Sequence, residues 1–160
     1  MKRLALKGIC ALAAAGIATS AAAGGNVDKI LEFDTMVGVV APYLGTANPI
    51  RGVNGGGRAW SIGSAKGELT VDGKLEVRVT GLVLTDTGAN PIPNFRAIVS
   101  CLSKDGAGNP STVNITTAPF AATPTGDSYI ETSVGLPSPC IAPIVFVTSP
   151  TGAWFAATGM

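Results

Sequence analysis

After its first 23 residues the chain never sustains a helical repeat long enough to bury one face. Its 21 glycines and 11 prolines instead cut it into short apolar runs. Both residues are unfavourable inside regular elements, so each cluster of them marks where an element ends. The runs between are rich in Val, Ile and Thr, whose branched Cβ suits a pleated surface. They predict strands over 36–41, 58–71, 75–84, 95–102, 112–118, 128–135, 142–148 and 153–158. Turn clusters separate them, among them Asn54 to Gly57, Asp72-Gly73, Gly88 to Asn94, Asp105 to Pro110 and Thr123 to Asp127. One segment departs from this: Asn26 to Asp34 sets Val27, Ile30 and Leu31 on one face and predicts a short turn of helix. The pattern as a whole predicts an all-β fold, a single antiparallel β-sandwich of Ig-like architecture with about seven to nine strands.

The first 23 residues predict an address. Lys2, Arg3 and Lys7 open the chain, the apolar run Ile9 to Ala18 follows, and Ala21-Ala22-Ala23 offers a cleavage site. This is the three-part pattern of a secretory signal peptide, and its apolar part is too short to span a bilayer. The expected organisation is a signal over 1–23, one domain over 24–160, secretion to the medium or the cell surface, and no membrane-spanning segment afterwards. Cleavage removes three basic residues and Cys10, leaving 8 basic residues against 10 acidic ones, a net charge of −2. Two cysteines remain, Cys101 and Cys140, and an even count in an exported chain predicts a disulfide between them. Pro137, Pro139 and Pro143 stiffen the corner around Cys140.

The clearest local pattern is the hairpin around Asp72-Gly73. Leu69 and Val71 before the turn, and Leu75, Val77 and Val79 after it, alternate with polar neighbours. Pairing Val71 with Leu75 and Leu69 with Val77 keeps both apolar sets on one face and sets Glu68 opposite Arg78, an attractive pair. A register two residues shorter sets Glu68 opposite Glu76, so the first is expected. Gly81 is expected to mark a bulge.

Composition excludes much chemistry. With no histidine the chain can build neither a Ser-His-Asp or Cys-His catalytic set nor an imidazole zinc site. The near-neutral charge gives no basic face for nucleic acid. Carboxylates remain: Asp34, Glu68, Asp72, Glu76, Asp86, Asp105, Asp127 and Glu131. A glycosidase needs two of them at a set separation, one with a raised pKa, and nothing in the linear order pairs them. Asp86 to Asn90 and Asp105 to Asn109 offer oxygen ligands of the kind calcium takes, but too few each, and turns explain them. Gly52 to Gly57 is followed by Arg58-Ala59-Trp60 rather than the Lys-Ser/Thr of a phosphate loop, and reads as a flexible loop. Asn114-Ile115-Thr116 is a glycosylation sequon. Trp154 and Phe155 are adjacent on a strand, so one of them is expected near the surface.

Two segments, Asn90 to Cys101 (NPIPNFRAIVSC) and Leu136 to Gly159 (LPSPCIAPIVFVTSPTGAWFAATG), carry a family likeness. With the Gly-rich loop and the Asp72 hairpin they resemble a group of small secreted proteins of bacteria and filamentous fungi. That resemblance implies secretion and a compact fold, and it assigns no active-site residue. Gly63 to Leu82 alone resembles the chordin-type extracellular repeat, whose following histidines this chain lacks.

The expected function is therefore non-catalytic: a secreted binding, adhesion or structural module, with no cofactor and no metal. Its expected partner is an extracellular surface, polymer or protein. Arg58 and Trp60, beside each other on the Gly-rich loop, are the first candidate contacts. The alternatives are a small carboxylate-based hydrolase and a calcium-dependent secreted module.

Overall fold

From Lys29 to Ala157 the burial of successive side chains alternates or saturates as pleated strands require, and the backbone follows. The computed structural model describes residues 28–159, in which there are twelve strands and no helix. In chain order they are β1 (Lys29–Phe33), β2 (Val37–Gly38), β3 (Trp60–Ser61), β4 (Ser64–Thr70), β5 (Lys74–Thr80) and β6 (Val83–Leu84). β7 (Asn94–Lys104), β8 (Pro110–Thr116), β9 (Phe120–Ala121), β10 (Ser128–Ser133), β11 (Ile141–Thr148) and β12 (Trp154–Ala157) complete the set. The expected signal peptide, its cleavage point and Cys10 lie outside the described residues. No helix among the described residues is long and apolar enough to cross a membrane.

Two antiparallel sheets carry the structure, in the orders β1-β4-β5-β10 and β2-β12-β11-β7-β8, with β9 also on β7 and the pair β3-β6 apart. Their inner faces share one core. Leu69, Leu75, Val77, Val79 and Ile130 come from the first sheet; Phe95, Ala97, Val99, Val145, Val147 and Phe155 come from the second. All are buried, as apolar residues at alternate strand positions should be when two sheets close on one another. The disulfide Cys101–Cys140 fastens β7 to the segment that leads into β11.

Several expectations need correction. The segment around Ile30 and Leu31 is a strand: Lys29–Phe33 pairs antiparallel with β4, because an open sheet edge offers more backbone hydrogen bonds than one isolated helical turn. The expected run 58–71 splits, since Trp60-Ser61 turn away to pair with β6 while Ser64 onward pairs with β5. Gly81, at φ +63, breaks the expected run 75–84 outright rather than bulging it. The strand number exceeds the expected seven to nine because four of the twelve are two-residue pairings that bridge longer elements. Pro110 opens β8, and Pro143 sits in β11 where the register shifts between Ile141 and Ile144, both places where a missing N–H is tolerated.

The hairpin register also differs. Leu69 lies opposite Leu75 and Glu68 opposite Glu76, two residues from the expected pairing. The turn decides this. The Thr70 hydroxyl accepts the Lys74 N–H at 3.0 Å and donates to the Asp72 carboxylate, while Gly73 N–H donates to Thr70 O at 3.0 Å. Val71 is thereby left at the exposed tip, with its N–H donated to Asp28 O at 2.8 Å. Gly73 has φ +89 and lies so close to the Val134 carbonyl that a Cβ would be 2.0 Å from it, so only Gly fits this turn. A two-residue slip preserves which face is buried, which is why Leu69 and Val77 are both in the core as expected.

Trp154 and Phe155 are both buried. They do point to opposite sides: Phe155 packs on Trp60 and Phe95 inside, Trp154 on Phe146 and Tyr43. The segment between β2 and β3 covers the second side. Arg51 donates to the carbonyls of Ser100 (3.0 Å) and Ala142 (2.8 Å), and Asn114 Nδ2 donates to Arg51 O at 2.9 Å.

Candidate binding face

Outward positions of β1, β4, β5 and β10 line up across the four-stranded sheet. Their pairing places Glu32 opposite Glu68, Glu68 opposite Glu76, and Glu76 opposite Glu131, one glutamate from each strand in a single row. One step along the strands, Lys66 lies opposite Arg78 and Arg78 opposite Tyr129. A shallow depression of about 830 Å³ is lined by Glu32, Glu68, Glu76, Lys66, Arg78 and Tyr129. Because the core takes the other face of the same strands, this one is free for solvent or a ligand.

Neighbouring lysines compensate the glutamate row. Lys29 Nζ is 2.9 Å from Glu32 and 2.7 Å from Glu68, and Lys74 Nζ is 2.5 Å from Glu76 and 3.9 Å from Glu131. Hydrogen bonds to Glu68 and Glu32 push the Lys29 ammonium up to about 12. The hydrogen bond from Lys74 holds the Glu76 carboxyl below its ordinary range. Tyr129, 43% exposed, donates its hydroxyl to Glu131 at 3.0 Å, and this bond raises its pKa. The Arg78 guanidinium lies 4.9 Å from the centre of the Tyr129 ring, a cation–π distance.

The residues singled out from the sequence lie elsewhere. Trp60 is buried and stacked on Phe155, with ring centres 3.9 Å apart, so its ring is not a surface contact. An apolar ring beside two others gains more by leaving water than it would on an open loop. Arg58 stays exposed and pairs with Asp86, whose carboxyl it holds below the ordinary range. The Gly-rich stretch is stitched to β12 rather than free: Gly56 N–H donates to Trp154 O at 2.8 Å, and Trp154 N–H to Asn54 O at 2.9 Å.

The two loops read as possible calcium ligands spend their oxygens internally. Asp105 Oδ1 accepts the N–H groups of Ala107 (2.9 Å) and Asn109 (2.8 Å), which together with the Asn109 side chain lower its pKa. Asn90 is buried and bonds the backbone of Ile92 and Thr123. Among the described residues no three His, Cys, Asp or Glu side chains are grouped to hold a metal ion.

Carboxylates that the linear order leaves apart are brought together by the fold, which pairs Glu68 with Glu76. Directly opposed residues have Cβ atoms about 4.5–5.5 Å apart, within reach of a two-carboxylate mechanism. The hydrogen bond from Lys74 moves Glu76 down, the opposite of the raised pKa a general acid uses. Outward alternation in Lys66/Glu68, Glu76/Arg78 and Tyr129/Glu131 was the signal for this face, but only the strand register turns it into a row. No family model, curated protein or solved structure matches the chain.

Proposed function

We propose that the chain is a secreted, non-catalytic binding module, a β-sandwich of Ig-like architecture that contacts an extracellular polymer or surface through the outer face of its four-stranded sheet. The observation that carries this reading is the exposed Tyr129 ring beside Arg78, within a depression that also presents Glu68, Glu76 and Lys66. An aromatic platform edged with donors and acceptors of both signs suits a polyhydroxylated ligand, which needs one stacked surface and several hydrogen bonds. Secretion is supported by the N-terminal signal pattern and by the disulfide, which persists in oxidising compartments.

Adsorption of the secreted protein to insoluble polysaccharides tests the reading. Retention by at least one polymer, lost in Tyr129→Ala with folding intact, is the expected result. Retention unchanged in that variant sinks the assignment of the face. The second reading, a hydrolase built on Glu68 and Glu76, is favoured only by their opposition across β4 and β5. It requires turnover on a glycan panel that Glu68→Gln or Glu76→Gln abolishes; no turnover is expected.

A further inference from the structure

Four of the eight Lys and Arg side chains among the described residues have a partner. Lys29 and Lys74 serve the glutamate row, Arg58 pairs with Asp86, and Arg51 is bonded to two carbonyls. Lys66, Arg78, Arg96 and Lys104 have no such partner, and of these only Lys66 and Arg78 share a register position. Neither makes an ion pair with any described carboxylate, yet the register sets them directly opposite each other. Like charges at opposed positions repel, so an anion placed between them is attracted by both and relieves that repulsion. Arg78 and Lys66 are both exposed, and Arg78 already leans over the exposed ring of Tyr129.

We infer that Lys66 and Arg78 together hold the carboxylate of an acidic saccharide whose ring rests against Tyr129. This rests on the sheet-face reading given above and names its ligand. A carboxylate is the fitting group, since one planar anion accepts from an ammonium and a guanidinium at once and removes their mutual repulsion. The charge must also be sparse. Glu68 and Glu76 lie two residues along the same strands, roughly 7 Å away at strand rise, and repel a second anion close by. A polymer with isolated carboxylates among hydroxyls satisfies both rows, because the hydroxyls can donate to the glutamates. A densely sulfated chain or a nucleic acid does not.

Affinity electrophoresis of the secreted protein through gels containing polygalacturonate, dextran or heparin decides the matter. Polygalacturonate should retard the protein more than either of the others, and added salt should weaken the effect. Lys66→Gln and Arg78→Gln should each weaken polygalacturonate binding about tenfold, the loss of one charge-assisted hydrogen bond at an exposed site, while the thermal midpoint does not fall. Heparin binding more tightly than polygalacturonate overturns the inference, as does wild-type affinity in both variants. Dextran binding that depends on Tyr129 but not on Lys66 or Arg78 overturns the acidic ligand and leaves the sheet-face reading standing. Binding to none of the three overturns the inference, and failure on a wider polymer panel removes the sheet-face reading with it.

Discussion

Glu68 and Glu76 face each other across β4 and β5, two like charges at one register position, each held by its own lysine. Lys29 and Lys74 approach from the turn side of the row, so the repulsion between the carboxylates is answered at both of them. Each also has a further glutamate on its other flank, Glu32 beside Glu68 and Glu131 beside Glu76.

Lys74→Gln should therefore change the pH response of the fold. With Lys74 present, the lowered pKa of Glu76 adds stability above the unfolded carboxylate pKa and loses it as pH falls through the folded value. Without Lys74 the neighbouring glutamates raise the pKa, and the sign reverses: the variant is relatively better off in acid and loses ground as pH rises. Thermal midpoints of both proteins between about pH 3 and 7 should converge at the acid end. Parallel curves would show that Lys74 does not govern Glu76.

The wild-type protein should be acid-sensitive in a defined window. Asp72, Glu76, Asp86, Asp105 and Asp127 are all shifted down, by hydrogen bonds from Thr70, Lys74, Arg58, Asn109 and Gly81 respectively. Each contributes stability above its unfolded pKa that is lost as pH falls through the lower folded one, so the midpoint should decline below about pH 4. Lys29 acts at the other end: its contribution is complete below 10.5 and is lost as pH rises through about 12. A flat midpoint from neutrality to pH 2 would contradict the acid half of this.

Which faces are buried was legible in the sequence, and how strands meet was not. Alternation in Leu69, Leu75, Val77 and Val79 identifies the inner face whatever the register, because pairings two residues apart share that face. Choosing between them by the attraction of Glu68 for Arg78 failed: side-chain bonds from Thr70 set the turn, and lysines remote in sequence relieved the unfavourable pair. Trp60 was misread for a related reason. Its glycine-rich surroundings suggest an open loop, yet distant β12 supplies backbone partners to Asn54 and Gly56 and the Phe155 ring that stacks on Trp60. The candidate site depends wholly on such long-range pairing, so its residues were visible singly and their row was not.

Core substitutions should rank by face. Leu69→Ala, at a fully buried position, should cost about 2–5 kcal/mol. Val71→Ala, at the exposed turn tip, should cost little. Denaturant midpoints with unchanged slopes measure both. An equal loss at the two sites would place Val71 against the core, as the longer-paired register required.

The disulfide closes a loop across 39 residues and should contribute about 4 kcal/mol in the chain-entropy model. Cys101→Ala with Cys140→Ala should lower stability by a comparable amount. Thiol titration of the denatured chain without residues 1–23 should find no free thiol before reduction and two after it. Two free thiols at the outset would refute the bond.

Packing and binding are separable in the Gly-rich segment, where Trp60 is buried and Arg58 exposed. Trp60 lies between Phe155, nearly parallel at 3.9 Å, and the edge of Phe95 at 6.3 Å, and its backbone N–H donates to Val39 O at 2.9 Å. Removing the ring leaves a void where two aromatic contacts were, so Trp60→Ala should cost about 3–5 kcal/mol. Under conditions where the variant remains folded, its affinity for a polymer should match wild type, because the ring faces the core. Arg58→Ala breaks only an exposed pair with Asp86 and should alter neither stability nor adsorption appreciably. Adsorption lost in Arg58→Ala, with the fold retained and Tyr129→Ala still binding, would move the contact surface from the sheet face to this loop.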